Sequence, residues 1–327
     1  MAGPVMCRAG VACEEEAHVV NRTDQIGEAV GSAARIGTGI MAFACGDALG
    51  VPWENRPVSE IDAGRLDELP QRPGWPPGAT SDDTQQLIML AENLIATGGD
   101  GDPRAFLTAL AAARDTIRGI GPTTRRAILR FTETGALHAG DGSSNGAVMR
   151  VLPLGWATRP ADAERRRALV ERMTVTTHGA PAAVAGACAV AAMGSYAVAG
   201  YPAERLIAVA LAEIERFGLG AAARPVRLAA EGEWRPGPDG VTLDVLDTVA
   251  AVLHTIRQAG EPAEAMRRAV LLGGDTDTVA AIVGGILGGR HDTVAIPWAA
   301  RVELPGDIDA LATGLWHIRA RPAETPP

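Results

Sequence analysis

Two acidic clusters carry the clearest chemistry in this chain: Ser81-Asp82-Asp83-Thr84, and Gly273-Gly274-Asp275-Thr276-Asp277-Thr278 far downstream. Each stands where a loop gives way to a helix, and there free backbone N–H groups and the positive end of the helix dipole favour negative charge. N-capping alone would account for either cluster by itself. Together they offer four carboxylates with adjacent hydroxyls, hard oxygen donors of the kind that suits Mg²⁺ or Mn²⁺, and no Cys/His set competes with them. If the fold joins the clusters, their mutual repulsion needs a cation. Four carboxylates can bridge two ions about 3.5 to 4 Å apart, an arrangement that activates water and polarises an oxygen. Asp275 and Asp277 cannot share a helix face as i and i+4 neighbours do, but on an irregular turn before the helix both can point inward.

Four further segments could line a site with them. In Gly46-Asp47-Ala48-Leu49-Gly50-Val51-Pro52-Trp53-Glu54, the glycines permit close backbone approach. Asp47 anchors a turn or contributes to the site, and Glu54 sets a carboxylate beside an apolar plate. Small residues in Gly142-Ser143-Ser144-Asn145-Gly146, ahead of Ala147-Val148-Met149-Arg150, leave N–H groups uncovered at an expected helix start, where a phosphate or diphosphate can sit. Met149 reads as core and Arg150 as the partner of a carboxylate. The Thr177-His178-Gly179 histidine is either a hydrogen-bonded structural group or a cleft residue. Finally, the turn around Gly121 in Gly119-Ile120-Gly121-Pro122 opens a helix that could face a ligand.

The elements that must position these residues read as helices, with apolar residues recurring at three and four positions. Helices are expected over 26–45, ending at Gly46, and over 81–96 with Ser81 as cap. Others are expected over 103–117, 122–133, 147–156 (strained or broken at Pro153), 161–174, 180–199, 202–217, 242–258, 262–271, 276–287 and 307–319. Residues 70–80 form a Pro/Gly loop, and 218–240 an irregular excursion. Aromatic residues make up only 4% of the chain, and its apolar content comes largely from Ala, Val, Leu and Ile, so small side chains must fill the interior at close approach. An all-α fold follows, a compact single-domain multi-helix bundle over residues 27–318, with tails at 1–26 and 319–327.

Composition limits the partners. The 327 residues are 47% hydrophobic and carry a formal net charge of -9, a field that disfavours non-specific nucleic-acid binding. All 30 basic residues are Arg, a pattern of codon usage rather than function. Cys7, Cys13, Cys45 and Cys188 match neither a disulfide framework nor paired metal ligands, which suits a reducing compartment. Glu14, Glu15 and Glu16 interrupt any secretory pattern, so a cytoplasmic protein is expected. The uncharged run over 173–203 is long enough to span a bilayer, but its Ala, Gly, His178, Pro181 and Pro202 suit a helix buried among helices, and no membrane partner is expected.

In chain order, these segments resemble the ADP-ribosylglycohydrolase family, which includes dinitrogenase-reductase-activating glycohydrolases and ADP-ribosyl-acceptor hydrolases. The Asp-Asp-Thr and Gly-Gly-Asp-Thr-Asp-Thr motifs carry most of the likeness, the Gly-Asp-Ala-Leu-Gly turn with its following Glu less, and Asn-Gly-Ala-Val-Met-Arg and Thr-His add to it. The resemblance implies a cleft with two Mg²⁺ or Mn²⁺ ions, in which an ADP-ribosylated acceptor is hydrolysed at the anomeric carbon to release ADP-ribose. It implies Ser81, Asp82, Asp83, Asp275, Asp277 and Thr278 as metal ligands, Ser81 standing where the family usually has Thr. Either Glu54 or Asp83 would handle the proton, and the Gly142–Gly146 turn, His178 and Gly121 would bind substrate. A dinuclear phosphoester or diphosphate hydrolase and a non-enzymatic binding relative are the competing readings. The sequence leaves the acceptor and the oligomeric state open.

Overall fold

Ser32 opens the first helix by accepting a hydrogen bond from the Arg35 N–H at 3.1 Å, so α1 begins at Ala33. A computed structural model describes residues 31–258, 260–304 and 306–321; the expected tail at 1–26, the start of the 26–45 helix and residues 322–327 lie outside them. Among the described residues are thirteen α-helices and no strand: α1 (Ala33–Gly50), α2 (Asp82–Ala96), α3 (Pro103–Ala113), α4 (Pro122–Thr134), α5 (Leu152–Trp156), α6 (Ala163–Thr174), α7 (Pro181–Val198), α8 (Ala203–Glu215), α9 (Arg224–Glu231), α10 (Val245–Arg257), α11 (Pro262–Val270), α12 (Thr276–Gly288) and α13 (Ile308–Arg319). The fold is all-α and a single domain.

Small residues bring the central helices together. A Cβ at Gly46 of α1 would stand 2.2 Å from the Ala280 carbonyl oxygen of α12, and one at Gly284 of α12 would stand 2.4 Å from the Ala42 carbonyl of α1. Backbones in that contact bury Ile40, Phe43, Ile282 and Ile286 with almost no exposure, and dense packing of this kind supplies the main favourable term in folding. Gly46 therefore does not end α1. The helix runs on to Gly50, because Gly46 is a point of close approach and not a left-handed terminator. On the other side, α7 passes through the core. It is long and apolar enough to cross a membrane, but 83% of it is buried inside the fold.

Three further expectations change. No helix runs over 147–156: a 3₁₀ turn at Asn145–Ala147 and a separate α5 replace it, with Pro153 in the first turn of α5, where its missing N–H costs nothing. The excursion at 218–240 contains α9, whose apolar side buries Val226 and Ala229. At the C-terminal end, Arg319 belongs to the packed body: it is 1% exposed and donates to the carbonyls of Trp156 and Ser195 at 3.2 and 3.0 Å.

Candidate active site

The first acidic cluster is set by α1. Buried Asp47 accepts hydrogen bonds from the Ser81 N–H at 3.0 and 3.1 Å, from the Thr84 N–H at 3.1 Å and from the Thr84 hydroxyl at 2.5 Å. It satisfies the free donors at the start of α2, while Ser81 caps the same turn by accepting from the Asp83 N–H at 3.2 Å. With those donors taken, Asp82 and Asp83 are left facing the cleft.

The second cluster is set by two glycines. Gly273 and Gly274 both have positive φ, at 73° and 72°, and the turn they make is clamped by backbone bonds on both sides. Asn55 N–H donates to the Gly274 carbonyl at 2.8 Å, Gly274 N–H to Arg56 at 2.8 Å, and Asp275 N–H to Val241 at 2.9 Å. A Cβ at Gly274 would lie 2.1 Å from the Val241 oxygen. Asp275 becomes the N-cap of α12 and Asp277 falls in its first turn. Gly50 lets the end of α1 lie against Asp277, since a Cβ there would stand 2.3 Å from the Asp277 Cα.

Glu54, Ser81, Asp82, Asp83, Asp275, Asp277 and Thr278 line one wall of a cleft of about 230 Å³. Gly121, Pro122, Thr123 and Thr124 at the start of α4 line it too, with Ser144, Asn145, Gly146, Met149, His178 and Leu243. Two sequence-distant clusters thus meet. Burial is the main cause that pushes Asp82 up to about 7 and Asp275 up to about 6. The same cause raises Asp83 and Asp277 well above the carboxylate range, and the neighbouring carboxylates add to it. Asp83 Oδ2 is buried without a hydrogen-bond partner. Among the described residues, no three carboxylate, imidazole or thiolate groups close around one point as a ready ion site. Instead the Thr278 N–H donates to Asp277 Oδ1 at 3.0 Å, and Asn145 Nδ2 donates to Asp275.

Glu54 sits at the edge of the wall, ion-paired with Arg72 and accepting from Asn55 Nδ2 at 3.2 Å; Arg72 in turn stacks on Trp75, 4.6 Å from the ring centroid. Along the same cleft α4 begins at Pro122, with Gly121 as an N-cap that offers no side-chain hydrogen bond, so the N–H groups and dipole of its first turn are available to an anion. The Asn145 turn differs from expectation. It is a three-residue 3₁₀ turn with no helix dipole behind it, and the Asn145 amide nitrogen is committed to Thr248 Oγ1 at 2.9 Å and to Asp275. Asn145 therefore orients a carboxylate. Gly142 and Ser143 do not line the cleft. Gly142, at φ 100°, packs against Thr123 and His178, and the Ser143 carbonyl accepts from Val245 N–H at 3.2 Å. His178 is fully buried and pushed down to about 3, chiefly by burial and then by Arg150 and Arg126, so it is a neutral ring. Sequence reading missed Gln86, which donates to Asp82 at 2.6 Å; its place one helical turn after Asp82 was the available signal. It also missed Leu243, an apolar side chain 52% exposed at the cleft, which has no sequence signature.

A profile of the ADP-ribosylglycohydrolase family matches residues 30–324. A solved structure titled "ADP-ribosylglycohydrolase-related protein complex" is similar with a TM-score of 0.74 and 31% identity, over 88% of this chain and 98% of that one. The ADP-ribosyl-[dinitrogen reductase] glycohydrolase of Rhodospirillum rubrum is 26% identical, covering 81% of this chain and 88% of its own. The ADP-ribosylarginine hydrolase Tri1 of Serratia proteamaculans is 25% identical, covering 85% and 78%. The chain belongs to the ADP-ribosylglycohydrolase family and is a glycohydrolase.

Proposed function

We propose that this protein releases ADP-ribose from an ADP-ribosylated acceptor, such as an arginine side chain, by hydrolysing the glycosidic bond at the anomeric carbon with the help of two Mg²⁺ or Mn²⁺ ions. One observation carries the reading: carboxylates from two distant segments line the same cleft as the uncapped start of α4. The arginine acceptor is supported by the likeness to the Serratia ADP-ribosylarginine hydrolase. A cytoplasmic setting is supported by the free, buried thiols of Cys45 and Cys188.

The donor set fits divalent ions. Ser81, Asp82, Asp83, Asp275, Asp277 and Thr278 offer hard oxygens, the Asp83 Oδ2 lacks any partner, and burial first, then the neighbouring carboxylates, raise the proton affinities of the wall, so that its ionised form calls for a counter-charge. These six residues would hold the ions. Paired divalent ions, when bound, supply a water of lowered pKa and polarise the oxygens they touch. The protein's own groups do the rest. The start of α4 binds the diphosphate through free N–H groups, with Ser144 and Thr123 beside it, while Met149 and Leu243 give apolar contact. As the acceptor departs, positive charge grows on the sugar ring, and the carboxylate wall stabilises it. Either Glu54, held by Arg72, or Asp83 would pass the proton between water and leaving group.

The test is product analysis with ADP-ribosylated arginine, serine, nucleobase and small-molecule acceptors, each with and without Mg²⁺ or Mn²⁺ after chelation. Free ADP-ribose and intact acceptor, formed only with the ion, is the expected result. AMP or orthophosphate would identify a phosphoester or diphosphate hydrolase instead, and binding without turnover a non-enzymatic relative.

A further inference from the structure

Arg150 lies behind the cleft lining, 2% exposed; neutral acceptors stand where the sequence reading expects a carboxylate partner, and the charge of Asp82 acts on it without an ion pair among the described residues. Its Nη1 donates to Gln86 Oε1 at 2.8 Å and to the Gly146 carbonyl at 2.7 Å, and its Nη2 donates to Thr177 Oγ1 at 2.5 Å. The Phe106 ring covers the guanidinium, 5.1 Å from its centroid. A guanidinium can only donate, so each partner must turn an acceptor toward it, and this fixes what each partner shows on its other side.

On one side, Gln86 must point its carbonyl at Arg150 and its amide nitrogen away, which brings Nε2 to 2.6 Å from Asp82 Oδ2. That oxygen must be an acceptor, and Asp82 keeps Oδ1, on the Gly119 side, for the cleft. On the other side, Thr177 Oγ1, which accepts from Arg150, is also hydrogen-bonded to His178 Nδ1 at 2.8 Å. The second ring nitrogen, Nε2, is hydrogen-bonded to Ser144 Oγ at 3.0 Å. Ser144 in turn lies 3.4 Å from Thr123 Oγ1 at the start of α4.

We propose that Arg150 is a positioning residue that sets both walls of the cleft at once, orienting Asp82 through Gln86 and the His178–Ser144 pair through Thr177. This rests on the reading of the cleft as a site for divalent ions and ADP-ribose. Outer partners of ligating carboxylates set ligand orientation, and their loss costs about 10- to 100-fold in metal affinity. The two arms are separable by near-isosteric changes. Gln86→Met removes the donor to Asp82, and Thr177→Val removes the hydroxyl between Arg150 and His178.

Calorimetric titration with Mn²⁺ alone, and with ADP-ribose at saturating Mn²⁺, tests it on the full chain. Gln86→Met should weaken Mn²⁺ binding about 10- to 100-fold and leave ADP-ribose binding at saturating Mn²⁺ within about twofold. Thr177→Val should do the reverse, weakening ADP-ribose binding about tenfold, the loss of one hydrogen bond of roughly 1.4 kcal/mol, with Mn²⁺ binding unchanged. Arg150→Met should lose both. Should Arg150→Met fail to fold, the two single-arm variants decide alone. Loss in one arm only, or wild-type binding in both, overturns the two-sided role. Wild-type protein that binds neither probe overturns the reading of the cleft, and this inference with it.

Discussion

The carboxylate of Asp47 accepts the Ser81 backbone N–H on both oxygens, at 3.0 and 3.1 Å, and so ties α1 to the first turn of α2. It is a buried charge spent on helix donors, and its cost is visible nearby, since its negative charge is among the causes that raise Asp82 and Asp83. Two effects of Asp47 therefore oppose each other, a cap that stabilises and a repulsion that does not. Asp47→Asn keeps an acceptor and removes the charge, whereas Asp47→Ala strands the Ser81 and Thr84 N–H groups at a cost of about 1–3 kcal/mol. Urea unfolding should place Asp47→Ala at least about 1 kcal/mol below Asp47→Asn. Equal stabilities would mean that the cap contributes nothing.

Removing a wall carboxylate should separate activity from stability. Asp82→Ala and Asp275→Ala each delete one of several buried like charges but leave the Gln86 or Asn145 amide donor without that partner, two effects that oppose each other, so the helical circular-dichroism signal should hold and the unfolding midpoint should move little. Mg²⁺-dependent ADP-ribose release should fall by about 10²-fold or more, the scale of losing one preorganised electrostatic group. Release at the wild-type rate by either variant would remove these residues from the site.

The wall was legible in the sequence because its chemistry is local. Asp-Asp after Ser81, and Asp-Thr-Asp-Thr after a double glycine, are each complete within six residues, and each announces a helix start. What the sequence hid was how the wall is held. Asn145 reads as part of a ligand turn, yet its amide is taken by Thr248 and Asp275, partners no local pattern reveals. Gly46 reads as a helix end, because a glycine that terminates and a glycine that admits a neighbouring backbone are the same letter. Gly142 and Ser143 sit in a turn whose second half alone, Ser144 to Gly146, reaches the cleft. In each case the deciding contact is long-range.

The close-approach glycines give a direct test of that packing. An alanine at Gly46 would need space already held by the Ala280 carbonyl, 2.2 Å away, and helix propensity favours alanine, so a local account predicts stabilisation. Gly46→Ala should instead destabilise by about 1–3 kcal/mol or more through overpacking. Gly140, with nothing within 4 Å of its would-be Cβ, is the control, and Gly140→Ala should stay within about 0.5 kcal/mol. Chemical denaturation of the pair checks it, and a neutral Gly46→Ala would show that α1 and α12 are less closely joined.

His178 supplies the pH dependence. Burial first, then the charges of Arg150 and Arg126, push its ring from 6.5 to about 3. Between those values the unfolded chain binds a proton that the folded chain refuses. Stability from this group is therefore fully present above about pH 6.5 and is lost as pH falls toward 3. The slope in that window is about 1.4 kcal/mol per pH unit. The same neutrality bears on function: with Nδ1 filled by Thr177 and Nε2 by Ser144, the ring orients a hydroxyl and offers no positive charge to a diphosphate. His178→Gln retains polar atoms but cannot take up the proton, so its unfolding free energy should fall less steeply than wild type from pH 6.5 to pH 5. The expected gap is about 2 kcal/mol at pH 5, read by urea unfolding at each pH. Parallel pH profiles for the two proteins would mean that the imidazole accepts its proton in the folded state, and that it faces the ligand as a cation.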